Sequence, residues 1–132
     1  MHSAIILGRS DGRPIYIQII EQIRHRIALG DWPAGHQLPS IRELAAELRV
    51  SVITVKRAYL ELEREGVILT RQGVGSTVAD APALGDRLLE DELANQIARL
   101  AHTAARLGLG ANDLAERVAA AMREGHEART RR

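Results

Sequence analysis

LPSIRELAAELRVSVITVKRAY, residues 38–59, is the stretch whose reading decides the fold. It reads as two short helices with a tight turn between them. Ser40 followed by Glu43 has the spacing of a capping box, in which the Ser hydroxyl takes the N3 amide and the Glu carboxylate reaches back to the cap. Pro39 sits just before it. Ile41, Leu44, Ala45 and Leu48 then recur on one face, the side to be buried. Ser51 is the next cap, so the turn falls on Arg49 and Val50. An Arg in a left-handed turn position costs roughly 1 kcal/mol relative to Gly. The second helix is expected to run from Ser51 to about Glu65, with Gly66 as its C-terminal stop.

The two faces of that second helix differ in kind. Val55, Ala58, Tyr59 and Leu62 lie along one side, facing the other helices. Ile53, Arg57 and Arg64 lie opposite, with Val52 and Lys56 flanking. A buried helix would not place Ile53, Lys56 and Arg57 together on its outer face. A helix that enters a DNA groove would, because Lys and Arg meet phosphates while Val and Ile can contact thymine methyls.

Upstream, Pro14 suits the first turn of a helix, and Ile15, Ile19, Ile23 and Ile27 recur at i+4 steps. Gly30 ends that helix, and residues 31–35 form a loop packed on Trp32. Residues 1–11 contain Ile5-Ile6-Leu7, read as a short strand, then a turn-like run. Downstream, Val67 to Arg71 reads as a strand, Gln72-Gly73-Val74-Gly75 as a turn, and Ser76 to Ala79 as the return strand. A hairpin in that place is a wing, and glycines at its tip let backbone approach a phosphate closely.

Asp80-Ala81-Pro82-Ala83 reads as a linker. Beyond it Leu93, Ile97, Leu100, Ala104 and Leu107 alternate steps of four and three, the rhythm of a heptad seam, which Leu88 and Leu89 extend backward. Gly108 and Gly110 break the helix. A last helix starts near Ala111 with Leu114, Val118 and Met122 on its apolar face. Gly125 is expected to release a basic tail. The seam either covers the domain's own core or meets another chain, and its length favours the second.

Composition narrows the class. With 132 residues there is room for one domain and an extension. Hydrophobic residues make up 45% but aromatic ones only 2%, so the core is aliphatic. The absence of cysteine excludes disulfides and thiolate zinc sites. The net charge of +1 requires any nucleic-acid contact to rest on local positive charge. No apolar run reaches the roughly 20 residues of a membrane helix, and Ala4 to Leu7 is too short for a signal-peptide core. The expectation is a cytoplasmic protein without a membrane segment. His2, His25, His36, His102 and His126 show no metal-ligand spacing, and no nucleophile elbow or phosphate loop occurs. Neither an enzyme nor a cofactor or metal is expected. The region after Pro82 is too small and too poor in aromatics for a ligand pocket of several hundred Å³ within one chain; one shared across a dimer stays open.

Taken together, these segments resemble the GntR family of bacterial transcription regulators. The matching stretches are Pro14 to Ile19, Leu38 to Ala45, Thr54 to Tyr59, Leu62 to Gly66 and Arg71 to Gly75, and the short two-helix tail looks like the YtrA subfamily. The resemblance implies a homodimeric repressor that binds an inverted-repeat operator. It implies that Arg42 holds phosphate or base, that Ser51, Val52, Ile53, Thr54 and Lys56 begin the reading helix, and that Gln72 and Gly73 reach the minor groove. Val52 and Ile53 stand where many relatives carry Arg, Pro or Asn, and Arg49 replaces the common turn Gly.

The full expectation is a mainly α chain: a winged helix-turn-helix domain with a small β-hairpin wing, followed by a two-helix C-terminal dimerisation extension. Its segments are residues 1–11, the DNA-binding domain 12–80, the dimerisation region 84–126 and a basic tail 127–132. The DNA-binding residues are Arg42, Ser51, Val52, Ile53, Thr54, Lys56, Arg57, Gln72 and Gly73. Leu93, Ile97, Leu100, Ala104 and Leu107 form the dimer seam. The partners are a double-stranded DNA operator and a second copy of the chain, with the small-molecule effector left open. The competing class is a protein-binding winged-helix adaptor without DNA readout.

Overall fold

The computed structural model describes residues 5, 7, 8 and 12–131. In chain order they form α1 (Ile15–Ala28), α2 (Ile41–Leu48), α3 (Val52–Arg64), β1 (Ile68–Arg71), β2 (Gly75–Val78), α4 (Leu84–Arg106) and α5 (Ala111–Thr130). The chain divides into two compact units, Met1–Glu92 and Leu93–Arg132, with the division inside α4.

The first unit is built on α3. Val55, Ala58 and Leu62 have no exposed surface and pack with Ile19 and Ile23 of α1 and Leu44 of α2. Tyr59 ties α3 to the segment before α2: its hydroxyl donates to the Pro39 carbonyl at 2.7 Å, inside the core. Burial raises the Tyr59 pKa, and the Glu43 and Glu47 carboxylates push it the same way. The phenol is therefore held neutral as a donor.

Helix ends follow the sequence with two departures. Ser40 Oγ accepts the Glu43 amide at 3.1 Å, so one arm of the expected box forms; the returning arm from the Glu43 carboxylate does not. Gly125 does not stop the last helix, which continues to Thr130. A single Gly costs a helix about 1 kcal/mol against Ala, and the Arg and Glu residues around it are good helix formers. The tail expected at 127–132 is thus helical as far as Thr130, and Arg132 lies outside the described residues.

The α2–α3 turn is made by Arg49, in the left-handed region at φ 56 and ψ 47. Val50 N donates to Ala45 O and Arg49 N to Ala46 O, the double hydrogen bond of a Schellman ending. The end of α3 repeats this pattern at Gly66, and the end of α4 at Gly108. Only α2 asks a residue with a Cβ to take the left-handed place among these three.

The wing pairs Ile68 with Val78, Leu69 with Thr77, Thr70 with Ser76 and Arg71 with Gly75. A third segment joins its outer edge: Leu38 N donates to Ser76 O, Val78 N to His36 O and Gly35 N to Val78 O, with a bridge between Gln37 and Thr77. The chain just before α2 is in this way hydrogen-bonded to the hairpin after α3. Trp32 is buried beneath this region and stacks on His36, ring centroids 5.1 Å apart.

The strand expected at Ile5 to Leu7 is absent at Ile5 and Leu7, while Ile6 and residues 9–11 lie outside the described residues. Gln18 ties down the chain just beyond. Its buried amide accepts from Gly8 N and donates to Gly8 O and Arg13 O, so a side chain satisfies the backbone at Gly8 and at the Arg13 carbonyl. Ile5 inserts into the core nearby.

The start of α4 also belongs to the first unit. Leu84 and Leu88 are buried in its core, the Glu92 carboxylate lies 3.1 Å from His25 Nδ1 of α1, and Arg87 donates to the Glu65 carbonyl at the end of α3. Leu88 is therefore a core residue and not a backward extension of the seam. The division between compact units falls after Glu92, two turns beyond the linker at 80–83. In the second unit, Asp113 caps α5 by accepting from Gly110 N at 3.3 Å. Among the described residues no helix is long and apolar enough to cross a membrane.

Candidate nucleic-acid interface

The residues singled out on α3 share its exposed N-terminal half. Ser51 is the N-cap, and its Oγ accepts the Thr54 amide at 3.1 Å. The Ser51 and Thr54 hydroxyls also hydrogen-bond each other at 2.8 Å. One hydroxyl must donate within that pair, so the two together keep one O–H for an outside acceptor. Val52 is 46% exposed and Ile53 80% exposed, at the first and second helical positions. Their amides belong to the open end of the helix, where unpaired N–H groups and the helix dipole favour an anion such as a phosphate.

Lys56 and Arg57 follow on the exposed side of the next turn. The Arg57 guanidinium carbon lies 3.8 Å above the Tyr16 ring of α1. This cation–π contact fixes the head of Arg57 beside α1 while keeping its charge. Arg42 is exposed on the first turn of α2. Ser40, two residues before it, holds that turn by its cap.

Gln72 and Gly73 are both exposed at the wing tip, with Gly73 at φ 83, which explains the Gly. The tip has a brace that no sequence pattern announces: Gln37 Nε2 donates to the Val74 carbonyl at 2.9 Å. Gln37 lies in an irregular segment, and no periodicity or motif marks it. The Tyr16 contact was equally hidden, since the i+4 stripe of α1 passes through Ile15 and leaves Tyr16 unassigned.

The seam residues are placed unequally. Leu93, Ile97 and Leu100 are exposed along α4, and Leu107 is exposed just past its end. Ala104 is 5% exposed and borders the groove described next. Between α4 and α5 lies an open apolar groove of about 480 Å³, lined by Leu100, Leu107, Leu114, Val118 and Met122 among others. This corrects the expectation that the region could not form a pocket of that size. Two helices in a hairpin leave a concave side between them without needing a core large enough to enclose it.

A helix pair with a tight turn, an exposed basic and aliphatic second helix and a glycine-tipped hairpin define the class: a winged helix-turn-helix protein. Comparison with known proteins gives the family. Residues 15–78 match the family described as bacterial regulatory proteins, gntR family. The chain is 38% identical over 85 residues to the uncharacterized HTH-type transcriptional regulator YhcF of Bacillus subtilis, covering 64% of this chain and 69% of that one. It is 45% identical over 67 residues to the HTH-type transcriptional repressor YtrA of the same organism, covering 51% of this chain and 52% of YtrA.

Among solved structures, a GntR family transcriptional regulator from Listeria monocytogenes superposes with a TM-score of 0.71 at 31% identity, over 87% of this chain and 97% of that one. The AraR DNA-binding domain in complex with operator ORX1 superposes with a TM-score of 0.51 at 29% identity, over 56% of this chain and 92% of that one. The chain belongs to the GntR family and is a DNA-binding transcription regulator. These likenesses carry the DNA-binding reading and lend nothing to the adaptor alternative.

Proposed function

We propose that the protein is a cytoplasmic repressor that binds an inverted-repeat operator as a homodimer, with α3 in the major groove and the wing tip at the minor groove. Lys56 and Ile53 are the readout residues, Arg42 and Arg57 hold the backbone, and Ser51 with Thr54 caps the helix and offers one hydroxyl proton to a phosphate. The observation that carries this reading is the exposed first half of α3, where Val52, Ile53, Lys56 and Arg57 stand outside the core while Val55, Ala58, Tyr59 and Leu62 fill it. Its partner copy meets the exposed leucines of α4. No catalytic role is part of this proposal.

Fluorescence anisotropy with the duplex upstream of the protein's own gene tests it, since such regulators often control themselves. Lys56→Ala should weaken binding by ~1–3 kcal/mol if Lys56 reads a base, or reduce the salt slope by about one if it holds a phosphate. Unchanged affinity together with an unchanged slope would remove Lys56 from the interface.

A further inference from the structure

We propose that the first turn of α3 reads the 5-methyl group of a pyrimidine in the major groove, whether carried by thymine or by 5-methylcytosine, through Ile53 and Val52. The inference rests on the DNA-reading role of α3 proposed above and specifies what that helix reads.

Ile53 is the most exposed large hydrophobic side chain among the described residues, at 80%. It contributes nothing to the core. Val52 stands beside it, also exposed. Several polar groups of the same turns already have partners within the protein. Ser51 and Thr54 bond each other and the helix backbone. Arg57 lies over Tyr16. The first turn therefore presents aliphatic surface, with a mutually bonded hydroxyl pair at Ser51 and Thr54 and the Lys56 charge one turn on. In the major groove the apolar feature of a base edge is the C5 methyl of thymine. A methyl at C5 of cytosine occupies the same place while the N4 amino group remains a donor. Aliphatic side chains at this point distinguish presence from absence of that methyl, and do so without hydrogen bonds.

Burying one methyl-sized group is worth about a fourfold change in affinity. The test starts with the full chain and a random duplex library, from which a bound sequence is selected. Each thymine of that duplex is then replaced singly by uracil, which lacks only the methyl. Binding should fall about fourfold at one or two positions per half-site and hold elsewhere. At those positions a duplex carrying 5-methylcytosine should bind more tightly than its cytosine counterpart by a similar factor.

Ile53→Ala or Val52→Ala should bring the thymine-to-uracil ratio to one at the corresponding position. Both side chains are exposed, so neither change opens a cavity. Uracil tolerated at every position by the wild-type protein overturns the inference and leaves DNA binding intact. A ratio that survives both substitutions overturns it too, placing methyl contact on another element. Failure of the chain to enrich any duplex, with no salt-dependent binding to the library, overturns the underlying DNA-reading proposal along with this one.

Discussion

In the Met1–Glu92 unit, Ile19, Ile23, Leu44, Val55, Leu62, Val67 and Ile68 are wholly buried; in the Leu93–Arg132 unit, Ala104 is the one buried residue among those described. Both sequences carry apolar residues at helical spacing. The first unit surrounds its stripe with three helices, a hairpin and the start of α4. The second has two helices, and two helices cover only one side of each. Leu93, Ile97 and Leu100 stay in contact with water along α4. Periodicity reports that a face is apolar; what covers the face depends on how many elements are available. The proposed division of labour follows, with one unit that stands on its own core and reads DNA, and another completed by a second copy.

The largest expected effect strikes the first unit. Leu44→Ala should lower its stability by about 2–5 kcal/mol, measured by urea unfolding, because a fully buried Leu leaves a cavity. A cost below about 1 kcal/mol would show that this core is looser than its burial implies.

Alkaline titration separates the units next. Tyr59 is held neutral in the fold, so the native state keeps a proton that the unfolded chain releases near its ordinary pKa of 10.0. Its contribution is intact below that pH and is lost as pH rises above it. Tyr59→Phe should cost about 1 kcal/mol at neutral pH through the lost bond to Pro39, and the gap to wild type should narrow above pH about 10. A gap independent of pH would mean that Tyr59 ionises as freely in the fold as outside it.

A smaller effect runs in the opposite direction. Arg49→Gly should stabilise the first unit by roughly 1 kcal/mol, since a left-handed C′ position suits a residue without a Cβ. No gain in urea unfolding would indicate that Arg49 makes compensating interactions.

The legible parts of the fold were those written in local chemistry. Ser40, Ser51, Gly30, Gly66 and the wing glycines mark ends and turns by what their own atoms can do, and each acts where the sequence places it. The two serine caps confine the turn to Arg49 and Val50, and the structure assigns the left-handed place to Arg49. Parts decided at a distance were not legible. Leu88 and Leu93 are both leucines of α4, yet the first is in the core and the second is exposed, because the contacts from α1 and α3 reach only as far as Glu92. The brace from Gln37 to Val74 and the stacking of Arg57 on Tyr16 join residues remote in sequence and leave no local pattern. Gly125 misled in the other direction: a favoured stopping residue lies inside α5, since nothing after it completes a cap there. For the candidate interface, exposure of Val52, Ile53, Lys56 and Arg57 was readable from the helical wheel, but the engagement of Ser51 with Thr54 was not.

The comparison between the units is tested most directly by Leu100→Glu, titrated against duplexes carrying one or two copies of the selected half-site and followed by sedimentation. The expected result is a monomer that binds a single half-site as well as wild type does and loses the tighter binding to the pair. A dimer that persists with full affinity for the paired sites would contradict it, as would loss of single-site binding in a variant whose first unit remains folded.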